Sequence, residues 1–99
     1  MSRSFALCLH TGDQVAVMTS TGEAGQPCDV HLPGGMRTLE LVDAVPFGHK
    51  VAIEAIASAQ RVFKYGQPIG ITTIAIPAGC HVHTHNLSGL RCDADGSSS

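Results

Sequence analysis

The sequence predicts a mainly β domain of short strands and irregular loops, on three observations. Apolar residues alternate with polar ones in short runs, eleven glycines and five prolines punctuate those runs, and only one segment carries helical spacing. "SFALCLH" (4–10) and "QVAVMTS" (14–20) read as the first two strands, parted by the turn-like "TGD". "EAGQPCDVHLPGGM" (23–36) holds a short extended piece between two turn clusters. "RTLELVDAV" (37–45) alternates through Leu39, Glu40 and Leu41 and is closed by "PFG". Near the end, "IGITTIAI", "PAG" and "CHVHTHN" read as a hairpin of two strands. In "VAIEAIASAQRVF" (51–63), Ala52, Ala55, Ile56, Ala59, Val62 and Phe63 fall at helical spacing, which alone predicts a helix of about three turns. Its turn-rich neighbours predict something shorter, a helical turn feeding a strand at "RVFKY". No internal repeat is visible, and "RCDADGSSS" (91–99) reads as a disordered polar tail behind a domain over 1–90.

Bulk composition narrows the function. The chain has 99 residues, 43% hydrophobic and 14% charged, which suits one globular domain and not a disordered chain. A formal charge of −2, no Trp and one Tyr leave neither a basic footprint nor a stacking platform for nucleic acid. Apolar runs fall far short of the ~20 residues that span a bilayer. No membrane segment or secretory leader is expected, and the expected location is the cytoplasm. Cys8, Cys28, Cys80 and Cys92 have neither C-x-x-C spacing nor a close pair, so reduced, mostly structural thiols are expected.

Chemistry concentrates in "HVHTHN" (81–86). On a strand, His81, His83 and His85 share a face while Val82 and Thr84 take the other. Residues two apart sit roughly 6.6 Å apart, close enough for two imidazoles to meet one metal ion. All three on one ion would need a bend, so two ligands and a third histidine that orients a group or moves a proton are expected. His10 ends an apolar run with Asp13 just behind it, His49 sits in the turn "PFGHK", and His31 reads as an ordinary loop residue. Lys64 and Tyr65, in "KYGQPIG", open either an anion-binding turn or a plain hairpin turn. Cys80 adjoins His81, but adjacent strand residues face opposite ways, which disfavours a cysteine–histidine pair.

Taken together, "HTGDQVAV", "PFGHKVAI" and "KYGQPIGITTIAIPAGCHVHTHN" resemble the N-terminal domain of the altronate and galactarate dehydratase family over roughly residues 5–90. That domain is a SAF-type module, so the resemblance implies a compact β-clip of short strands with one or two short helical turns, "VAIEAIA" being a strand followed by such a turn. Gln14 stands where the family usually has Asn, and Cys80 where it often has Glu. The implied function is that of a lyase, a hydro-lyase in the main branch, eliminating water from a sugar acid or related hydroxy acid to give a 2-keto acid; sulfolactate sulfo-lyase, a relative, eliminates sulfite. The implied cofactor is a divalent metal, Fe2+ or Mn2+, with Zn2+ a candidate in a purified sample. The implied partner is a large dehydratase subunit, because a chain of this size encloses a sugar acid poorly by itself; a homo-oligomer is compatible as well. Within that chemistry, His83, His85 and His49 are the candidates for proton transfer. His81, His83 and His10 are the candidate metal ligands, and Lys50, Lys64 and Tyr65 the candidate substrate contacts. The alternative is a non-catalytic SAF-type module that binds carbohydrate or another ligand, or serves assembly.

Overall fold

Nine strands, none longer than six residues, succeed one another in the computed structural model, which describes residues 2–89. They are β1 (Ser4–Leu7), β2 (Val15–Met18), β3 (Pro27–Leu32), β4 (Gly35–Glu40), β5 (Lys50–Ala52), β6 (Arg61–Lys64), β7 (Gln67–Thr72), β8 (His81–Val82) and β9 (Leu87–Gly89). Six form a sheet in the order β4-β3-β1-β2-β5-β8, and three form a second sheet, β6-β7-β9. The β1–β3 pair is parallel and every other named pair is antiparallel.

The inner strands β2 and β5 are buried on both faces, so they read as continuous apolar runs. Alternation sends Ala16, Met18 and Val51 into one core with Ala6, Val30 and Leu41, and Val15 and Ala52 into a second core with Val62, Ile76 and Val82. The three-stranded sheet covers the second core with Val62, Ile69 and Leu87.

Two expectations are corrected here. There is no helix among the described residues, and the helical turns expected at 51–63 are absent. Ala52, Ile56 and Val62 are buried, as a helical face would require, but they reach the core from strand β5, from an isolated bridge between Ile56 and Ile76, and from strand β6. Between them Ala59 takes φ 59, a left-handed conformation that ends any right-handed turn. Three separate short elements thus reproduce a 3.6-residue spacing by coincidence. The expected hairpin over 69–86 is also absent, since β7 pairs with β6 and β9 while β8 pairs with β5 in the other sheet.

A repeat hidden in the sequence is plain in the backbone. One bend–bridge–turn–strand sequence recurs over 19–27, 42–50, 53–61 and 73–81. Each copy places its bridging residue fourth (Gly22, Val45, Ile56, Ile76) and a left-handed residue seventh (Gly25, Gly48, Ala59, Gly79). The bridges join the copies in pairs, Gly22 with Val45 and Ile56 with Ile76. The four copies share the backbone conformation and the bridge, so their side chains diverge freely. The expected polar tail at 91–99, with Cys92, lies outside the described residues. No helix of the described residues is long and apolar enough to cross a membrane.

Candidate functional site: a histidine cluster at a sheet edge

The site grows from the pairing of β5 with β8. Val51 stands opposite His81 and Lys50 opposite Val82. One step further along the same antiparallel ladder, His49 meets His83. Val51 belongs to the first core, so His49, His81 and His83 all rise from that face of the sheet, at its edge. The second recurring turn, Pro46–His49, delivers His49 to this position, with Gly48 at φ 83 and the His49 amide donating to the Pro46 carbonyl at 3.1 Å.

The three rings converge. His49 and His83 stack with centroids 4.7 Å apart, His81 and His83 at 5.4 Å, and His49 and His81 at 5.1 Å. His49 Nδ1 and His81 Nε2 are 2.9 Å apart, within hydrogen-bond distance if one of them carries the proton. One nitrogen from each ring lies within 4.8 Å of the others. Two nitrogens on one ion at about 2.0–2.1 Å stand roughly 3–4 Å apart, so modest ring rotations would gather the three on a metal. His49 and His81 are half-buried, and His83 is exposed.

The electrostatics favour the neutral form of His81. Burial is the main cause that lowers the pKa of His81; the neighbouring His49, His83 and His85 add to it, and Asp43 opposes it. A neutral imidazole offers the lone pair that a metal requires. The donor set fits a divalent transition ion, for which imidazole is a suitable ligand.

His85 arrives by a bend. Strand β8 ends at Val82, and the chain turns over 83–86, with Asn86 and Leu87 amides both donating to the His83 carbonyl at 3.0 and 2.9 Å. The His85 ring consequently lies 5.5 Å from that of His81, far nearer than on a straight strand.

The remaining candidates sit elsewhere. His10 is not in the three-histidine group; its ring packs on Gly66, where a Cβ would come within 2.9 Å of Nδ1. It lines a cavity of about 560 Å³ with Asp13, Met36, Arg37 and Glu54. Lys50 is half-buried with its pKa lowered, first by burial and then by Lys64. Its register with Val17 and Val82 starts its side chain on the sheet face opposite His49 and His81. Lys64 Nζ lies 4.9 Å above the Tyr65 ring. The thiols of Cys8, Cys28 and Cys80 are free, and burial pushes each pKa up.

Two motif residues turn out to be structural. The buried Asp13 carboxylate accepts the Tyr65 amide at 2.7 Å and the Gly66 amide at 3.1 Å, clasping a turn in which both residues have positive φ. Gln14 donates to the Arg61 carbonyl at 3.0 Å and accepts the Phe63 amide at 2.8 Å. "GDQ" and "KYG" are thus the two halves of one clasp. Sequence reasoning missed Asp43 and Asn86, whose side chains bond the His81 and His83 backbone; the one signal was that Asn86 closes the histidine run.

Comparison with known proteins places the chain in a family. Residues 4–90 match the family model described as the altronate/galactarate dehydratase SAF domain. The chain is 42% identical to the (2R)-sulfolactate sulfo-lyase subunit alpha of Chromohalobacter salexigens, covering 80% of this chain and 87% of that one. It is 38% identical to the altronate dehydratase of Escherichia coli over 88% of this chain but only 17% of the relative. It is 34% identical to the galactarate dehydratase (L-threo-forming) of the same organism, again over a small part, 14%, of that protein.

Proposed function

The chain belongs to the altronate/galactarate dehydratase SAF-domain family, and from that premise we propose that it is the small subunit of a metal-dependent lyase. In this reading it supplies the histidine-lined wall of an active site whose remainder comes from a large dehydratase-type chain. The substrate is a hydroxy acid, either a sugar acid that loses water or a sulfonated acid that loses sulfite, and the product is a 2-keto acid. The observation that carries the reading is the convergence of His49, His81 and His83 within 4.8 Å on one sheet edge. The 42% identity to a sulfo-lyase subunit, over 87% of that subunit, supports the small-subunit reading.

His49, His81 and His83 would hold the ion, which supplies Lewis-acid stabilisation of charge developing on the substrate oxygens. His85, beside His81 but outside the converging three, is placed to accept or donate a proton. Half-exposure of the cluster suits a shared site, because a partner's surface would exclude water and strengthen the electrostatics. A reducing cytoplasmic setting suits the free thiols.

The test is to recover the tagged chain from its native extract, identify what accompanies it, and assay the complex on sulfolactate, altronate and galactarate with Fe2+ or Mn2+. A large dehydratase-like chain in constant proportion and turnover abolished by His83→Ala are the expected results. A chain recovered alone, or full turnover in the His83→Ala complex, would overturn the reading in favour of a non-catalytic binding or assembly module.

A further inference from the structure

We infer that Asn86 is the positioning residue of the histidine cluster, setting the separation of the His81 and His83 donors without touching the metal itself. The inference rests on the reading of His49, His81 and His83 as metal ligands.

Strand β8 is the edge of the six-stranded sheet, with β5 on one side and, among the described residues, no strand on the other. The Ala52 amide donates to the Cys80 carbonyl at 3.0 Å, which is part of the β5 side of the ladder. The amide and carbonyl of His81 instead receive side-chain partners: the amide donates to Asp43 Oδ2 at 3.0 Å, and the carbonyl accepts Asn86 Nδ2 at 2.9 Å. An edge strand left uncapped would bond water or another chain and fluctuate in register. Asn86 also accepts the His83 amide on Oδ1 at 3.0 Å, while its own amide donates to the His83 carbonyl at 3.0 Å. Its carbonyl accepts the Thr73 amide at 3.0 Å, which ties the bend to the end of β7.

A single side chain, 4% exposed, therefore bonds the backbones of two ligand residues simultaneously, one through each end of its amide. Only an amide of this length offers a donor and an acceptor on one rigid plane. Leucine would fill the space and bond neither residue. Aspartate would keep the acceptor for His83 and lose the donor for His81. The same bend brings His85 to within 5.5 Å of His81, so Asn86 governs the candidate proton-transfer group along with the ligands. Partners that orient a ligand ring directly are worth about 10–100-fold in metal affinity; Asn86 acts on the same orientation through the ligand backbones.

The experiment titrates Co2+ into the purified chain and follows its visible absorption, comparing the unaltered protein with Asn86→Ala, Asn86→Asp and the core variant Val30→Ala. Val30 is buried in the first core on β3 and serves as a variant that loses stability without touching the site. The expected result is a Co2+ Kd raised about 10–100-fold in Asn86→Ala, with an altered band shape, and a smaller increase in Asn86→Asp. Val30→Ala should melt lower and keep the original Kd and band. Unchanged Kd and band in both Asn86 variants would overturn the inference and leave the histidine reading standing. If Asn86→Ala does not fold, Asn86→Asp decides alone. Absence of Co2+ binding by the unaltered protein would overturn the metal reading and this inference together.

Discussion

Two polar clusters in this chain are built from similar materials and end in opposite states. In the clasp, Asp13 and Gln14 commit their hydrogen-bonding capacity to the amides of Phe63, Tyr65 and Gly66 and the carbonyl of Arg61. At the histidine edge, Asp43 and Asn86 satisfy the backbone, and the imidazole nitrogens of His49, His81 and His83 are left facing one another. The clasp carboxylate is buried whereas the histidine edge runs from half-buried His49 and His81 to exposed His83. The difference teaches that a motif residue is a functional candidate to the degree that the fold leaves its polar atoms uncommitted.

Paired substitutions separate the two clusters most sharply. His81→Ala should weaken Co2+ binding by about 100-fold or more while shifting the thermal midpoint little, because a half-buried ring at an edge contributes little packing. Asp13→Ala should do the reverse. It strands two amides and loses charge-assisted bonds, which costs about 3 kcal/mol in a denaturant titration. Its Co2+ affinity should match that of the unaltered chain; a comparable loss in Asp13→Ala would break the comparison by making the clasp part of the site.

Gln14→Ala sharpens the same contrast at smaller amplitude. Two neutral hydrogen bonds to β6 are lost, for an expected cost of about 1–2 kcal/mol in the same titration and no change in Co2+ affinity.

Of similar size is the effect expected at Gly48, which feeds His49 into the cluster. It has φ 83, and a Cβ there would meet only open space, so Gly48→Ala should cost about 1–2 kcal/mol from backbone conformation alone. Gly79, which feeds His81, is different because a Cβ there would strike the Glu40 carbonyl; Gly79→Ala should therefore melt lower than Gly48→Ala.

The smallest effect lies outside both clusters. Arg3 and Thr38 hold the Asp29 carboxyl well below the usual carboxylate range. A depressed folded-state pKa means stability present above about pH 4 and lost as the pH falls below it. Asp29→Asn should flatten that acid limb of the melting profile by a small amount, since the pair is solvent-screened, and should leave the profile near neutrality unchanged.

Much of this organisation was legible in the residues. The alternating burial around Ala6 and Val30 reports strands because burial on a pleated sheet repeats every second residue. The phase of His81 and His83 is legible for the same reason, since both hold the face that Val51 occupies across the ladder. The segment 51–63 was misleading because periodicity records which side chains are buried and not which backbone carries them there. Ala59 at φ 59 has no local signal, as alanine favours helix; the turn is imposed by its neighbours' packing and by the bridge of Ile56 to Ile76. The expected hairpin over 69–86 failed because "PAG" builds the fourth copy of the recurring turn, which carries the chain from one sheet to the other instead of folding it back.

By itself, then, the sequence determined the β class and the presence of a histidine-rich run, of which only His81 lies on a strand while His83 and His85 follow in the bend. These follow from local alternation and composition, which every short window of the chain carries. Tertiary structure alone decided that His49 joins His81 and His83, that His10 packs on Gly66 instead, and that Asp13 serves a turn some fifty residues away. Those outcomes depend on which strand edges pair and in what register. Register is chosen by the summed burial of both cores and the satisfaction of backbone hydrogen bonds, a global condition that no stretch of sequence states on its own.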